Sequence, residues 1–430
     1  MQLSTTRLGH AVHALIDILP LTHPADASLS RYFRNNHELG PRDRAFVAET
    51  VYAVLRRKRL LEHLAAPHTT PRHLILALLA KVQGLSLREL EPLLHKEESE
   101  WLKQVKAVPT DDLPLAVRVD LPDWLTEKLV ARMPEEEILA LARGMQHSAP
   151  LDLRVNTVRA NRDEVLAILK RDGIPAEATP YSPVGVRVKD KPAINRHPLF
   201  LTGKIEVQDE GSQLIGYLVA PKRGEMIADF CAGAGGKTLI LGALMHSLGR
   251  IYAFDVSEKR LTQLKPRLKR SGLSNLHPQL ISNENDIKIK RLAGKLDRVL
   301  VDAPCSGLGT LRRNPDLKWR QKPQDIEELT QKQTAILTAA ARLVKVGGRL
   351  VYATCSILEE ENEQIVEAFL AAHPEFELHA ANDVLAQQNI PLDTGKYLKL
   401  APHVHGTDGF FAAVMERRNP AKASQQPDSD

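Results

Sequence analysis

The sequence predicts a multidomain protein: an all-α N-terminal part, a small α+β module, and a C-terminal α/β domain on a doubly wound, mainly parallel sheet. Three observations carry this. At 430 residues the chain exceeds what one hydrophobic core usually supports. Helical periodicity fills the first third, where strand signals are scarce. From about Phe200 onward, apolar runs at residues 226–228, 251–254, 299–301 and 350–353 alternate with helical stretches, as strands and crossover helices do in a parallel sheet.

In the N-terminal part, expected over residues 1–145, His10, Val12, Ala14, Leu15, Ile18 and Leu19 cluster on one helix side, and residues 74–79 form an apolar helix core. Breaks at residues 20–24, at Gly40-Pro41 and at residues 67–71 read as short helix connections. Arg56, Arg57, Lys58 and Arg59 form a basic run, either a solvated helix end or a contact for RNA phosphates. The module expected over residues 146–204 opens on the alternating Leu151-Asp152-Leu153-Arg154-Val155. A helix with Val165, Leu166, Ile168 and Leu169 follows, then short strands including residues 184–188. The catalytic domain is expected over residues 205–418, and a polar, disordered tail over residues 419–430.

Composition narrows the classes. With 43% hydrophobic and 26% charged residues and no apolar run near the ~20 residues that cross a bilayer, a membrane protein is not indicated. The first residues lack a secretory leader pattern, so a cytoplasmic location is expected. The three cysteines, Cys231, Cys305 and Cys355, have no paired metal spacing, so no metal site or disulfide framework is indicated and thiol chemistry or burial remains. A net charge of +5 permits an anionic partner without requiring one.

The first strand of the C-terminal domain ends in Asp229-Phe230-Cys231-Ala232-Gly233-Ala234-Gly235-Gly236-Lys237-Thr238, a glycine-rich turn into a helix. A triphosphate-binding loop would need glycine where Cys231 stands, and a dinucleotide fingerprint would need it where Thr238 stands. What remains is a glycine loop followed, about twenty residues on, by Asp255, whose carboxylate suits ribose hydroxyls. This combination suits S-adenosylmethionine (SAM), although Asp255 also reads as the entry to the next helix.

Cys305, in Asp302-Ala303-Pro304-Cys305-Ser306-Gly307, and Cys355, in Ala353-Thr354-Cys355-Ser356, each follow an apolar strand, at the edge where such sheets bind ligands. Two thiols there fit covalent catalysis on a pyrimidine. Carbon 5 of cytosine is a poor nucleophile until a thiolate adds at carbon 6, after which it takes a methyl group from SAM. Asp302 could hydrogen-bond or protonate the cytosine edge, or simply bond loop amides. Residues 311–322, with five cations and Trp319, offer phosphate contacts and a stacking surface, or a packed tryptophan among solvated charges. The reacting base must leave any helical stack to reach a thiol.

With these motifs assembled, the chain resembles the bacterial RsmB (Fmu/Sun) branch of the NOL/NOP/Sun RNA cytosine-5 methyltransferases. The likeness runs from Val207-Gln208-Asp209-Glu210-Gly211-Ser212-Gln213 through the glycine loop and both cysteine motifs to Asp408-Gly409-Phe410-Phe411. Leu153-Arg154-Val155-Asn156 matches the start of the small module. The resemblance implies a NusB-like helical RNA-binding domain, a ferredoxin-like module and a Rossmann-like SAM-dependent domain. It implies that Cys355 is the nucleophile and that Cys305 assists breakdown of the covalent intermediate. It also implies that Cys231, Ala232, Gly233, Ala234, Gly235, Gly236, Lys237, Asp255 and Asp302 line the SAM site. Asn283 stands where the family commonly has an acid near the adenine, with Glu284 and Asp286 close by. Gly233-Ala234 replace the family's usual Ala-Pro, which loosens the loop's backbone. The implied partner is small-subunit (16S) ribosomal RNA, with a monomeric enzyme. Two rivals stand beside this: an RNA-binding assembly factor that keeps the fold without catalysis, and a DNA methyltransferase attacking through Cys305.

Overall fold

The computed structural model describes residues 4–418, and the tail expected after residue 418 lies outside them. The described chain divides into two compact units, one running to Ser148 and taking in Thr310–Pro323, the other comprising Ala149–Gly309 and the chain from Gln324 onward.

The first unit contains helices and no strand among its described residues. Its opening helix, Thr5–Ile18, is capped by the Ser4 side chain, which accepts from the Arg7 amide at 3.2 Å. Leu8, Ala11, Leu15 and Ile18 form the buried stripe at the i, i+3, i+7, i+10 spacing. His10, Val12 and Leu19, expected on that side, are only half-buried, because the stripe is centred on Leu8 and Ala11. Helix Ala25–Asn35 begins just after an expected break, and helices Pro41–Arg56 and Pro71–Ala77 begin on the last proline of theirs.

The basic run is spent on partners within this unit. Arg57 pairs with the buried Asp120 at 3.0 Å, Lys58 with Glu62 at 2.7 Å and Arg59 with Asp123 at 2.6 Å. Helix Pro41–Arg56 leaves carbonyls at its C-terminus that need donors. The Trp319 indole donates to the Leu55 carbonyl at 2.8 Å and the Lys318 ammonium to the Arg56 carbonyl at 2.9 Å. Lys318 is 4% exposed, and burial pushes its pKa down to about 8. The packed alternative therefore holds for Trp319, while Lys318 is buried with it and is neither solvated nor presented to RNA.

In the second unit, strands β1 (Leu151–Val155), β2 (Ala176–Ala178), β3 (Gly185–Val188) and β4 (Ile205–Val207) form an antiparallel sheet in the order β2-β3-β1-β4. Helix Arg162–Arg171 joins β1 to β2, and β3 separates them, the split βαβ pattern of a ferredoxin-like fold. Strand β4 begins at Ile205, so this sheet borrows its fourth strand from the first residues of the segment expected to be catalytic.

The larger sheet contains β5 (Met226–Asp229), β6 (Arg250–Asp255), β7 (Leu276–Leu280), β8 (Leu296–Asp302), β9 (Val344–Thr354), β10 (Phe376–His379), β11 (Leu398–Leu400) and β12 (Phe410–Arg417). Its order is β10-β12-β9-β8-β5-β6-β7, with β11 beside β12. Strands β5 to β9 are parallel and β12 runs antiparallel to β9, giving a Rossmann-like sheet. The connections turn outward in opposite directions from β5 and β8, which opens a crevice at the carboxyl ends of those strands. The central strands are near-continuous apolar runs, as in Val299, Leu300 and Val301, because helices cover both faces. Among the described residues no helix is long and apolar enough to cross a membrane.

Candidate active site

Four strand ends converge at the crevice: β5 finishes on Asp229, β6 on Asp255, β8 on Asp302 and β9 on Thr354, the residue before Cys355. Asp229 is fully buried and accepts the Thr238 hydroxyl at 2.7 Å; burial raises its pKa to about 7. This bond ties the start of the glycine loop to the helix Gly236–Leu244 that leaves it. Gly233 and Gly235 take φ values of +56° and +84°, a region where a side chain is strained. A Cβ on Gly235 would stand 2.1 Å from Leu264, whereas one on Gly233 would meet nothing within 4 Å. The loop thus packs closely on one side and is open on the other.

Asp255 takes the helix-entry role that its sequence suggested and also holds the glycine loop. One carboxylate oxygen accepts the Gly233 amide at 2.8 Å, drawing the loop over β6, and the other accepts the Ser257 amide at 2.7 Å, at the entry to helix Glu258–Ser271. Each oxygen retains a lone pair for a ligand hydroxyl. The open face at Gly233, with this carboxylate beneath it, leaves room for a ligand on that side of the loop. Cys231 offers only backbone here, since its thiol packs against the apolar cluster around Phe230 and Phe254, and burial holds it well above the usual thiol range. Asn283 lies exposed in the turn after β7, its side-chain oxygen accepting the Asn285 amide at 2.8 Å. The turn starts beside the loop, because Ile281 donates its amide to the Asp255 carbonyl at 3.1 Å. Asp286 accepts the Ser282 and Lys288 amides, each at 2.9 Å, a helix-capping role.

Lys237 reaches from the loop helix to Asp302 at 2.8 Å. Burial opposes its charge, but Asp302 outweighs burial and raises the lysine's pKa, which keeps the ammonium charged. The ammonium also stands 5.6 Å from the centre of the Phe410 ring. The Cys305 and Cys355 sulfurs are 3.3 Å apart, and the Cys355 amide points at the Cys305 sulfur at the same distance. The contact with Cys355, reinforced by burial, holds Cys305 well above the usual thiol range. At this distance one sulfur can donate its S–H to the other.

Glu361 was not foreseen. It is fully buried and accepts the Ser306 amide at 2.8 Å, the Ser306 hydroxyl at 2.5 Å, the Gln333 amide at 3.0 Å and the Ser356 hydroxyl. Ser306 follows Cys305 and Ser356 follows Cys355, so one carboxylate fastens both cysteine loops. Its only sequence signal was the acidic triplet Glu359-Glu360-Glu361, which reads as an ordinary helix start. Glu361→Ala strands these buried donors and is expected to lower unfolding free energy by about 3 kcal/mol, measured by urea denaturation. An unchanged midpoint would contradict the clamp. The Asp408-Gly409-Phe410-Phe411 motif also gains a physical reason. The Gly309 amide donates to the Cys355 carbonyl at 2.8 Å, and a Cβ on Gly309 would lie 2.2 Å from the Gly409 carbonyl oxygen.

The model of the family described as 16S rRNA methyltransferase RsmB/F matches residues 216–416, and that of the RsmF/B-like ferredoxin-like domain matches residues 121–195. The probable ribosomal RNA small subunit methyltransferase B of Synechocystis is 33% identical over 91% of this chain and 95% of its own length. The corresponding Bacillus subtilis protein is 28% identical over 95% of this chain and 98% of its own. The crystal structure of PH0851 superposes with a TM-score of 0.78 at 27% identity, covering 97% of this chain and all of that one. The chain belongs to the RsmB/F family of 16S rRNA methyltransferases, whose methyl donor is SAM.

Proposed function

We propose that this protein methylates carbon 5 of a cytosine in small-subunit (16S) ribosomal RNA through a covalent bond between Cys355 and carbon 6. The observation that carries the reading is the pair of thiols 3.3 Å apart at neighbouring strand ends, beside the Lys237–Asp302 pair. The Cys355 thiolate adds to carbon 6, and the displaced π pair makes carbon 5 nucleophilic. SAM, held by residues 231–237 and Asp255, with Asn283 at the adenine end, supplies a methyl group on a sulfonium. Asp302, held in place by Lys237, accepts a hydrogen bond from the exocyclic amine of cytosine, a donor that a uracil lacks. After methylation, the carbon-5 proton leaves to a base, its bonding pair becomes the ring double bond, and the carbon–sulfur pair returns to Cys355. Cys305 donates S–H to the departing sulfur.

The helical unit, as a NusB-like domain, would hold the RNA, and the enzyme would act as a monomer. A non-catalytic assembly factor would have no use for two thiols fastened by one buried glutamate. Incubation of the protein with methyl-labelled SAM and unmodified 16S rRNA, followed by nucleoside mass spectrometry, is expected to yield 5-methylcytidine. Label on another nucleoside, or on duplex DNA and not RNA, would overturn the reading.

A further inference from the structure

The glycine loop is held from behind by Arg267, which a glutamate of the ferredoxin-like sheet anchors. Arg267, on helix Glu258–Ser271, donates from Nη1 to the Ala234 carbonyl at 2.7 Å. Its Nε and Nη2 donate to one oxygen of Glu206 on β4 at 3.2 and 3.1 Å. Glu206 is 4% exposed, and its other oxygen takes Arg270. Beside them Arg154 on β1, 2% exposed, donates to Gln208 at 2.7 Å, and Gln208 donates to Ser212 at 3.1 Å. A Cβ added to Gly236 would come within 3.8 Å of Gln208 and 3.9 Å of Arg267, so both side chains lie against the loop's closed side.

We propose that Arg267, anchored on Glu206, is a positioning residue for the cofactor: it straps the Ala234 carbonyl and so presets the glycine loop for SAM. The need for a strap follows from the loop's composition. Ala234 sits between two glycines with positive φ, and the proline usual in this family at its position, which would itself limit the backbone, is missing. A loop this free must be ordered on binding unless something orders it beforehand, and fixing one residue's backbone costs roughly 1–2 kcal/mol. Arg267 removes part of that cost and touches none of the groups assigned to the cytosine. Its effect therefore falls on cofactor affinity and not on the chemical step.

This inference rests on the loop being the SAM site, and the test separates the two. Isothermal calorimetry with S-adenosylhomocysteine on the full chain, together with methyl-transfer kinetics, compares wild type with Arg267→Ala, Arg267→Lys and Arg270→Ala. Arg270 shares Glu206 without reaching the loop, which makes it the control, and it keeps Glu206 paired when Arg267 is removed. Arg267→Ala is expected to raise the Kd, and the KM for SAM, about tenfold, with kcat at saturating SAM within about twofold. Arg267→Lys should fall between it and wild type, and Arg270→Ala should match wild type. Equal affinity in Arg267→Ala and wild type, or an equal loss in Arg270→Ala, would overturn the strap. A wild-type protein that binds no S-adenosylhomocysteine would instead overturn the cofactor-site assignment.

Discussion

Cys355→Ala is expected to abolish methyl transfer to RNA, by a factor on the order of 10⁴ or more, while leaving cofactor binding intact. The size follows from what the residue supplies. Without addition at carbon 6, carbon 5 has no electron pair to offer the methyl group, and neither remaining thiol can substitute. Cys231 is packed into the apolar cluster, and the Cys355 contact together with burial pushes the Cys305 thiol well above the usual range. A small packing loss at a half-buried position would not reproduce this, because calorimetry with S-adenosylhomocysteine should give an unchanged Kd. Residual activity within tenfold of wild type would move the nucleophile elsewhere.

Cys305→Ala should produce the opposite failure. Methyl transfer in a single turnover is expected to persist, whereas steady-state turnover drops by roughly 10²–10⁴, the range for losing a positioned proton donor. The protein should then accumulate bound to methylated RNA, visible as a slow-migrating species on a denaturing gel. The reason is the 3.3 Å contact: once the S–H is gone, the sulfur leaving carbon 6 departs without a donor to stabilise its charge. The double variant Cys305→Ala, Cys355→Ala should show no such species. An adduct surviving in the double variant would mean that another group bonds the RNA.

How much of this was readable before the structure depended on whether local chemistry or distant packing fixed each feature. The parallel strands β5, β6, β8 and β9 announced themselves as apolar runs, since a strand buried on both faces has no polar alternation to hide it. Strand β7, with His277 and Pro278 inside it, did not. It forms the sheet's edge, where a proline is tolerated and composition is loose. The glycine loop and both cysteines were legible because each lies at a strand end. Their pairing was not, since the 3.3 Å contact joins residues 50 positions apart and depends on β8 and β9 being neighbours. Glu361 and Arg267 were invisible for the same reason: one is an acid within an acidic triplet and the other a cation within a basic helix, and only tertiary structure gives them partners. Within the basic stretch 311–322, Lys318 and Trp319 went to the packed side of the two readings. Charge and an aromatic ring resemble an RNA surface, yet the carbonyls at the end of helix Pro41–Arg56 needed those donors.

The assignment of Cys355 as the attacking sulfur is tested most directly by trapping. RNA carrying 5-fluorocytidine at the target cannot lose a proton from carbon 5 after methylation, so the covalent bond to the protein persists. Digestion of the trapped complex and mass spectrometry of the modified peptide should place the nucleotide on Cys355. A nucleotide found on Cys305, or no covalent complex with an enzyme that methylates ordinary RNA, would contradict the account.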